Sequence, residues 1–315
     1  MGVSFLEVVK HRTAGSPQDE EVFWTHYSVI EIQEKMLEKG FEVSRHDVSN
    51  LMKFFNYKRR SLAKTDAPKK VEHRNEQFEK IAYLKDFFLS QGYPVFSLDT
   101  KKKELLGSFY RSGTYFGTKT QSVYDHDFPS YAQGKVIPHG IYDVGDNKGY
   151  LSLGISKDTS KFVCDNFEYF WKNSLQWKYP DTEWVLFLCD SGGSNNCRHY
   201  IFKEDLYKLA QKLQLNIMVA HYPTYCSKYN PIEHRLFPHV HQKWQGIVFK
   251  NIQIVKEQAL KTSTKTGLSV EVVINNGDYS TKRQYKEEFK NNIENYLYFD
   301  EDLPRWNYSV MYKPL

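Results

Sequence analysis

The chain has 315 residues, enough for two or three domains and one sizeable core. It is 40% hydrophobic and 16% aromatic, which excludes a disordered tail, and 43 Lys plus Arg against 38 Asp plus Glu leave a net charge of only +5. Cys164, Cys189, Cys197 and Cys226 form no Cys-x-x-Cys pair, and neither a signal peptide nor a run of roughly 20 apolar residues stands out. A disulfide framework and a membrane span are therefore not indicated, and a soluble cytoplasmic protein is expected.

Residues 1–26 are mixed, and His11 to Gln18, with Gly15, Ser16 and Pro17, reads as a loop. Tyr27 to Lys39 has Val29, Ile30, Ile32, Met36 and Leu37 at helical spacing, and Gly40 ends it. Ser44 is the N-cap candidate of a second helix, Arg45 to Asn56, with Val48, Leu51, Met52 and Phe55 on one face. The pattern fits a helix-turn-helix or a plain helical hairpin. Under the first reading Arg45, His46, Ser49, Asn50 and Lys53 point outward, where such side chains can read base edges or phosphates. Residues 58–74 then carry seven basic residues (Lys58, Arg59, Arg60, Lys64, Lys69, Lys70 and Arg74) against Asp66 and Glu72. A solvated linker and a phosphate-neutralising segment both fit this cluster, and the two are compatible. Residues 1–70 are read as a helix-turn-helix DNA-binding region with a basic linker.

A helix is expected over Val71 to Gln91, then a short buried strand, Val95 to Thr100, with Asp99 inside it. Lys101 to Glu104 continue it and Leu105-Leu106-Gly107 ends it. A loop, Ser108 to Lys135, separates it from a hairpin, Val136 to Val144 and Tyr150 to Ser156. Helix Lys161 to Ser174, central strand Trp184 to Cys189, helix Tyr200 to Leu213 and strand Asn216 to Ala220 follow. Next come a loop and a helix that starts near Asn230, a plausible N-cap, with Pro231 at its first position. Hairpin strands followed by alternating β-α units give a mixed α/β sheet with helices on both faces, the ribonuclease-H-like arrangement. That catalytic domain is placed at 71–245. Residues 246–315 are a C-terminal extension with a helix, Ile252 to Thr262, a strand, Leu268 to Ile274, and no chemical role that the sequence assigns.

Three carboxylates attract notice. Asp99 sits within a strand, where a charge is costly unless paired or bound to metal. Asp190 ends a central strand, and Glu233 opens the helix after the last one. In this strand order the first and fourth strands are neighbours, so Asp99 and Asp190 can lie side by side, with Glu233 folding back towards the same edge. Like charges so close ask for a hard, oxygen-preferring divalent ion. Two such ions roughly 3.5–4 Å apart can activate a nucleophile and stabilise a leaving oxygen at a phosphodiester. The bland reading makes Glu233 a helix-dipole partner. Asp190-Ser191-Gly192-Gly193-Ser194 lacks the Gly-Lys-Ser/Thr ending of a P-loop. The cluster His221, His234, His239 and His241 is a weak zinc candidate, with no Cys pairing to support it.

Ser97-Leu98-Asp99-Thr100-Lys101-Lys102-Lys103-Glu104-Leu105-Leu106-Gly107 resembles the first-aspartate motif of the ISAzo13-type insertion-sequence transposases, the group with the Rhodopirellula-type DDE domain. So do His126-Asp127-Phe128-Pro129-Ser130 and Ile137-Pro138-His139-Gly140-Ile141-Tyr142-Asp143. Cys189-Asp190-Ser191-Gly192-Gly193-Ser194-Asn195 resembles the second-aspartate motif, and Ser227 to Phe237 the glutamate motif. Tyr229 and Pro231 stand where the family usually has Trp and Lys; Asn-Pro-Ile-Glu is how the related Tc1/mariner-type enzymes read there. The resemblance implies a DNA transposase whose triad and metal ligands are Asp99, Asp190 and Glu233, with Mg²⁺ as cofactor and Mn²⁺ as substitute. It implies metal-dependent hydrolysis at transposon ends, then 3′-hydroxyl strand transfer into target DNA. The partners it implies are transposon-end and target DNA and a second copy, as a dimer on paired ends in the nucleoid. Lys102 and Lys228 would join Arg45, His46, Asn50, Lys53, Lys58, Arg59 and Arg60 on DNA. Family members carry a longer N-terminal region, so this chain is expected to start inside it. The alternatives are a ribonuclease-H-like nuclease without strand transfer and a truncated, non-catalytic DNA-binding remnant.

Overall fold

The computed structural model describes residues 2–10, 13–16, 19–60 and 71–312. The chain packs as two compact units, Met1–Pro68 and Lys69–Leu315.

The first unit holds helix α1 (Gly2–Lys10), an antiparallel hairpin of β1 (Thr13–Ser16) and β2 (Asp19–Thr25), and helices α2 (Val29–Glu38) and α3 (Arg45–Phe54). Gly15 and Ser16, expected in a loop, lie in β1; His11, Arg12, Pro17 and Gln18 lie outside the described residues. The two expected helices are present because each has its start signal. Ser28 accepts the Glu31 N–H while Glu31 accepts the Ser28 N–H, and Ser44 and Asp47 repeat the same capping box. Phe5, Val8, Ile32, Met36 and Val48 make the small core, whereas Ile30 and Leu37 of the same helical pattern are exposed. Of the basic linker, Lys58, Arg59 and Arg60 are exposed; Lys64, Lys69 and Lys70 lie outside the described residues.

The second unit is built on strands β3 (Val95–Thr100), β4 (Glu104–Leu106), β5 (Gly134–Asp143), β6 (Lys148–Gly154), β7 (Trp184–Cys189), β8 (Asn216–His221), β9 (Ser269–Asn275), β10 (Leu297–Phe299) and β11 (Asn307–Val310). Their order is β10-β11-β8-β7-β3-β5-β6-β9, with β4 paired to β5. The five central strands run β8-β7-β3-β5-β6, parallel except for β5, which is the ribonuclease-H-like order expected. As expected, Glu104 to Leu106 carry on from β3 along the same partner: Thr100 pairs with His139, the ladder is interrupted at 101–103, and it resumes as β4 one residue out of step, with Glu104 opposite Val136.

Helices cover both faces. On one, α5 (Ser160–Phe170) continues through a π turn, Trp171–Leu175, into α6 (Gln176–Lys178), and packs beside α7 (Tyr200–Leu213) and α11 (Glu287–Asn291). Phe167, Phe170, Phe202, Leu206 and Phe289 bury there against Phe96, Leu98 and Phe187. The other face carries α4 (Arg74–Ser90), which starts three residues later than expected, and α8 (Ile232–Arg235), α9 (Phe237–Trp244) and α10 (Ile252–Leu260). Residues 246–315 are more than an extension. β9 joins the sheet beside β6, and β10 and β11 join it beside β8.

The later segment is also tied down by charge. Buried Asp205 on α7 accepts from Ser160 Oγ at 2.6 Å and from Arg283 Nη2 at 2.6 Å and Nη1 at 3.1 Å. Asp205→Ala leaves a guanidinium and a hydroxyl without their acceptor, and should cost about 3 kcal/mol in chemical denaturation. A loss below half of that would show that solvent replaces the pair.

Candidate active site at the carboxyl ends of two parallel strands

Alternation along the strands decides where the acids point. On β3, Phe96 and Leu98 face the α5 side, so Ser97 and Asp99 face the α4 and α8 side. On β7, Phe187 and Cys189 face α5, so Asp190, the next residue, turns the other way. Leu98 pairs with Cys189 in the parallel register, which sets Asp99 and Asp190 next to one another at the strand ends. Glu233 comes from the first turn of α8 on that same face.

Asp99 accepts its neighbour Thr100's N–H at 2.7 Å and has the Glu233 carboxyl beside it. Burial, followed by the charge of Asp190 and the contact with Glu233, pushes the Asp99 carboxyl well above the usual carboxylate range. Asp190 is also raised, first by burial and then by Glu233 and Asp158, although the Gly192 N–H holds it back. Like charges in a half-buried place therefore titrate as a set. Among the described residues no three His, Cys, Asp or Glu side chains stand close enough together to clasp an ion. The donor chemistry, three carboxylates whose charges oppose one another, still fits a hard divalent cation.

The frame behind these acids was invisible in the sequence. Asn230 does not cap α8; Pro231 takes the N-cap position and the Asn230 side chain is wholly buried. Its Nδ2 donates to the Leu98 carbonyl at 3.2 Å, its Oδ1 accepts from Ser97 Oγ, and Ser97 Oγ accepts the Ile232 N–H at 3.0 Å. The loop ahead of Glu233 is thus bolted to β3 beside Asp99. Gly140, opposite Asp99 on β5, lets α8 and α9 settle there: a Cβ would stand 2.7 Å from Phe237 and 2.8 Å from Ile232.

A second brace holds Asp190. Buried His221 approaches the Asp190 carbonyl through Nδ1 at 3.0 Å and the Tyr308 hydroxyl through Nε2 at 3.1 Å. A carbonyl only accepts, so Nδ1 carries the proton and Nε2 accepts from Tyr308. Burial pushes the His221 pKa down to about 4, so the ring is neutral near pH 7. Gln77 Nε2 donates to the His221 carbonyl and to Asn307 Oδ1, both at 2.9 Å, and Asn307 returns a bond of 2.7 Å. His221 had a visible signal, a histidine at the end of the last central strand. Ser97, Gln77, Asn307 and Tyr308 had none, because their roles depend on long-range contacts.

The remaining candidates are surface residues. Arg45, His46, Asn50 and Lys53 are exposed on α3, as are Lys58, Arg59 and Arg60 after it. Lys102 and Lys228 are exposed on loops after β3 and before α8. His234 and His241 are exposed, and neither joins His221.

A mixed sheet of this order with acids at the ends of adjacent parallel strands is the build of a DDE-type polynucleotidyl transferase. The chain belongs to the family described as Rhodopirellula transposase DDE domain, whose model matches residues 4–312, and it is a DDE-type transposase. No curated protein matches the sequence. Solved structures similar to it include a Mos1 transposase paired-end complex with left transposon end (16% identity, TM-score 0.44, 78% of this chain and 71% of that one). A mariner Mos1 paired-end complex with Mg is similar too (16%, TM-score 0.45, 73% and 69%).

Both raised acids bind a proton more tightly in the folded chain than in the unfolded one. Their contribution is full below the unfolded carboxylate pKa of about 4 and falls away as pH rises through the folded values. Asp99→Asn keeps the Thr100 contact and needs no proton uptake on folding, so it should stabilise the chain at pH 7 by at least about 1 kcal/mol, yet not at pH 4 or below. Denaturation curves at the two pH values measure this; equal effects at both would refute the electrostatic origin. Gly140→Ala should do the reverse at every pH, costing about 1–3 kcal/mol through overpacking against Ile232 and Phe237. Unchanged stability would mean that α8 yields easily.

Proposed function

We propose that the chain hydrolyses a phosphodiester at transposon ends in a metal-dependent step and joins the freed 3′-hydroxyl to target DNA. The observation that carries this reading is the shared placement of Asp99, Asp190 and Glu233, on one sheet face and at one edge, where their charges oppose each other. Asp99, Asp190 and Glu233 would hold Mg²⁺, or Mn²⁺ in its place. A bound divalent ion supplies a nucleophilic water at neutral pH and a counter-charge for the phosphate. The protein's part is to keep the acids aligned. Ser97 and Asn230 fix the approach of Glu233, and His221 with Tyr308 fixes the backbone of Asp190. This alignment costs nothing at the moment of reaction, because it is built into the fold.

DNA would be held in two ways. Arg45, His46, Asn50 and Lys53 on α3 would read a groove, with Lys58, Arg59 and Arg60 on the backbone. Lys102 and Lys228, on loops at the acidic edge, would meet phosphates near the reacting bond. Two ends must be paired for transposition, so a dimer on DNA is the working form, in the cytoplasm and at the nucleoid. No described helix is long and apolar enough to cross a membrane.

The test is a plasmid carrying the element's own ends, incubated with purified chain and Mg²⁺. Nicking at the ends and joined products are expected, and Asp99→Asn, Asp190→Asn and Glu233→Gln should each reduce nicking on the order of 10³-fold. Nicking by Asp190→Asn at the wild-type rate would sink the triad assignment. Nicking without joined products would favour the nuclease reading instead.

A further inference from the structure

The sheet edge that carries the acids also carries a cleft with a different chemistry. It measures about 430 Å³ and lies between residues 109–123 and Gly246–Val248. Its volume is within the roughly 300–1,000 Å³ of ordinary ligand sites. One wall follows β4, a few residues past Asp99; the other follows α9, the helix after the one bearing Glu233. β4 pairs with β5 at Val136, beyond the point where β3 stops opposite His139, so this wall starts from the acidic end of the sheet.

The cleft is braced. Arg111 donates to the Leu105 carbonyl at 2.6 Å, the Ile247 carbonyl at 3.4 Å and Glu104 at 3.3 Å, and its guanidinium lies 3.7 Å from the Phe249 ring centre. Gly113 (φ +117°) runs so close to Gln245 that a Cβ would stand 2.6 Å from it. The Tyr115 ring sits against Gly117 and Gly246, where added Cβ atoms would meet it at 2.6 and 3.0 Å. Tyr115 nevertheless stays 43% exposed and Tyr110 64%. Beside them Tyr124, Phe128 and Tyr131 touch one another and are exposed as well. Lys102, Lys103, Lys119 and Lys135 are exposed over the same stretch, against exposed Asp125 and Asp127.

Exposed tyrosines beside Lys119 in the cleft suit a flat, anionic ligand. Bases inside a duplex hide their faces, so only an unstacked nucleotide can offer one. We propose that this cleft binds an unstacked nucleotide of the DNA substrate, with its base against Tyr110 or Tyr115 and its phosphate towards Lys119. The proposal rests on the reading of the chain as a DNA-acting enzyme and names where distorted or single-stranded DNA leaves the reacting bond.

The experiment measures binding of the full chain to labelled oligo(dT) and to a blunt duplex of equal length, by fluorescence anisotropy at one fixed salt concentration. Tyr110→Ala and Tyr115→Ala should each weaken oligo(dT) binding roughly 5- to 150-fold, the loss of one base–aromatic stack. Tyr115→Trp should keep it, Lys119→Glu should weaken it, and duplex binding should be unchanged in all four. Lys119 is exposed on the loop, so its variant serves even where a tyrosine variant fails to fold. Wild-type chain that ignores oligo(dT), alanine variants that bind it normally, or equal losses on duplex and oligo(dT) would each overturn the proposal. So would variants whose only change, in light scattering, is the loss of a dimer. Plasmid nicking is scored separately: a tyrosine-dependent oligo(dT) site in a chain that never nicks sinks the transposase reading and leaves the cleft standing.

Discussion

Two carboxylates on neighbouring parallel strands repel one another, and most of the second unit can be understood as the frame that holds them together. Backbone pairing of Leu98 with Cys189 fixes their separation, and side-chain alternation turns both to one face. Burial first, and then neighbouring acids, raise the proton affinities of Asp99 and Asp190. A fold tolerates such a cost when the surrounding bonds over-determine the geometry. Here they do so twice: Asn230 and Ser97 pin the chain before Glu233 to β3, while His221, Tyr308, Gln77 and Asn307 pin the chain around Asp190 to β11 and α4.

The central strands and the main helices were legible beforehand, because they follow from local signals. Trp184 to Cys189 is an uninterrupted apolar run, Ser44 is a cap with Asp47 three residues on, and strands linked by a hairpin and then by β-α units admit few topologies. What was missed depends on distance along the chain. Glu104 to Leu106 were expected to carry on from β3 and do so, but the one-residue slip of their register on β5 has no local signal. Asn230 looked like a cap because its neighbours favour one; a buried partner on β3, Ser97, outbid the helix end.

The same reasoning explains why residues 246–315 had no assigned role, although their helix from Ile252 and their strand near Ser269 were expected and are present. Asn307 to Val310 is too short to announce a strand, yet it extends the sheet beside β8 and supplies the Tyr308 hydroxyl that meets His221. Glu271 on β9 in turn pairs with Lys148 on β6 at 2.6 Å. The last part of the chain is therefore coupled to the acidic edge through the sheet, and its side chains serve the site by holding other side chains.

Under the proposed function Asp99, Asp190 and Glu233 act as one divalent-ion site, and Mn²⁺ binding measures it without any need for DNA. Titration of the wild-type chain with Mn²⁺, followed by electron paramagnetic resonance at pH 7 to 8, should show saturable binding. Asp99→Asn, Asp190→Asn and Glu233→Gln should each weaken it by at least about tenfold, or 1.4 kcal/mol. Saturable binding that survives all three substitutions would place the ion elsewhere and contradict the account.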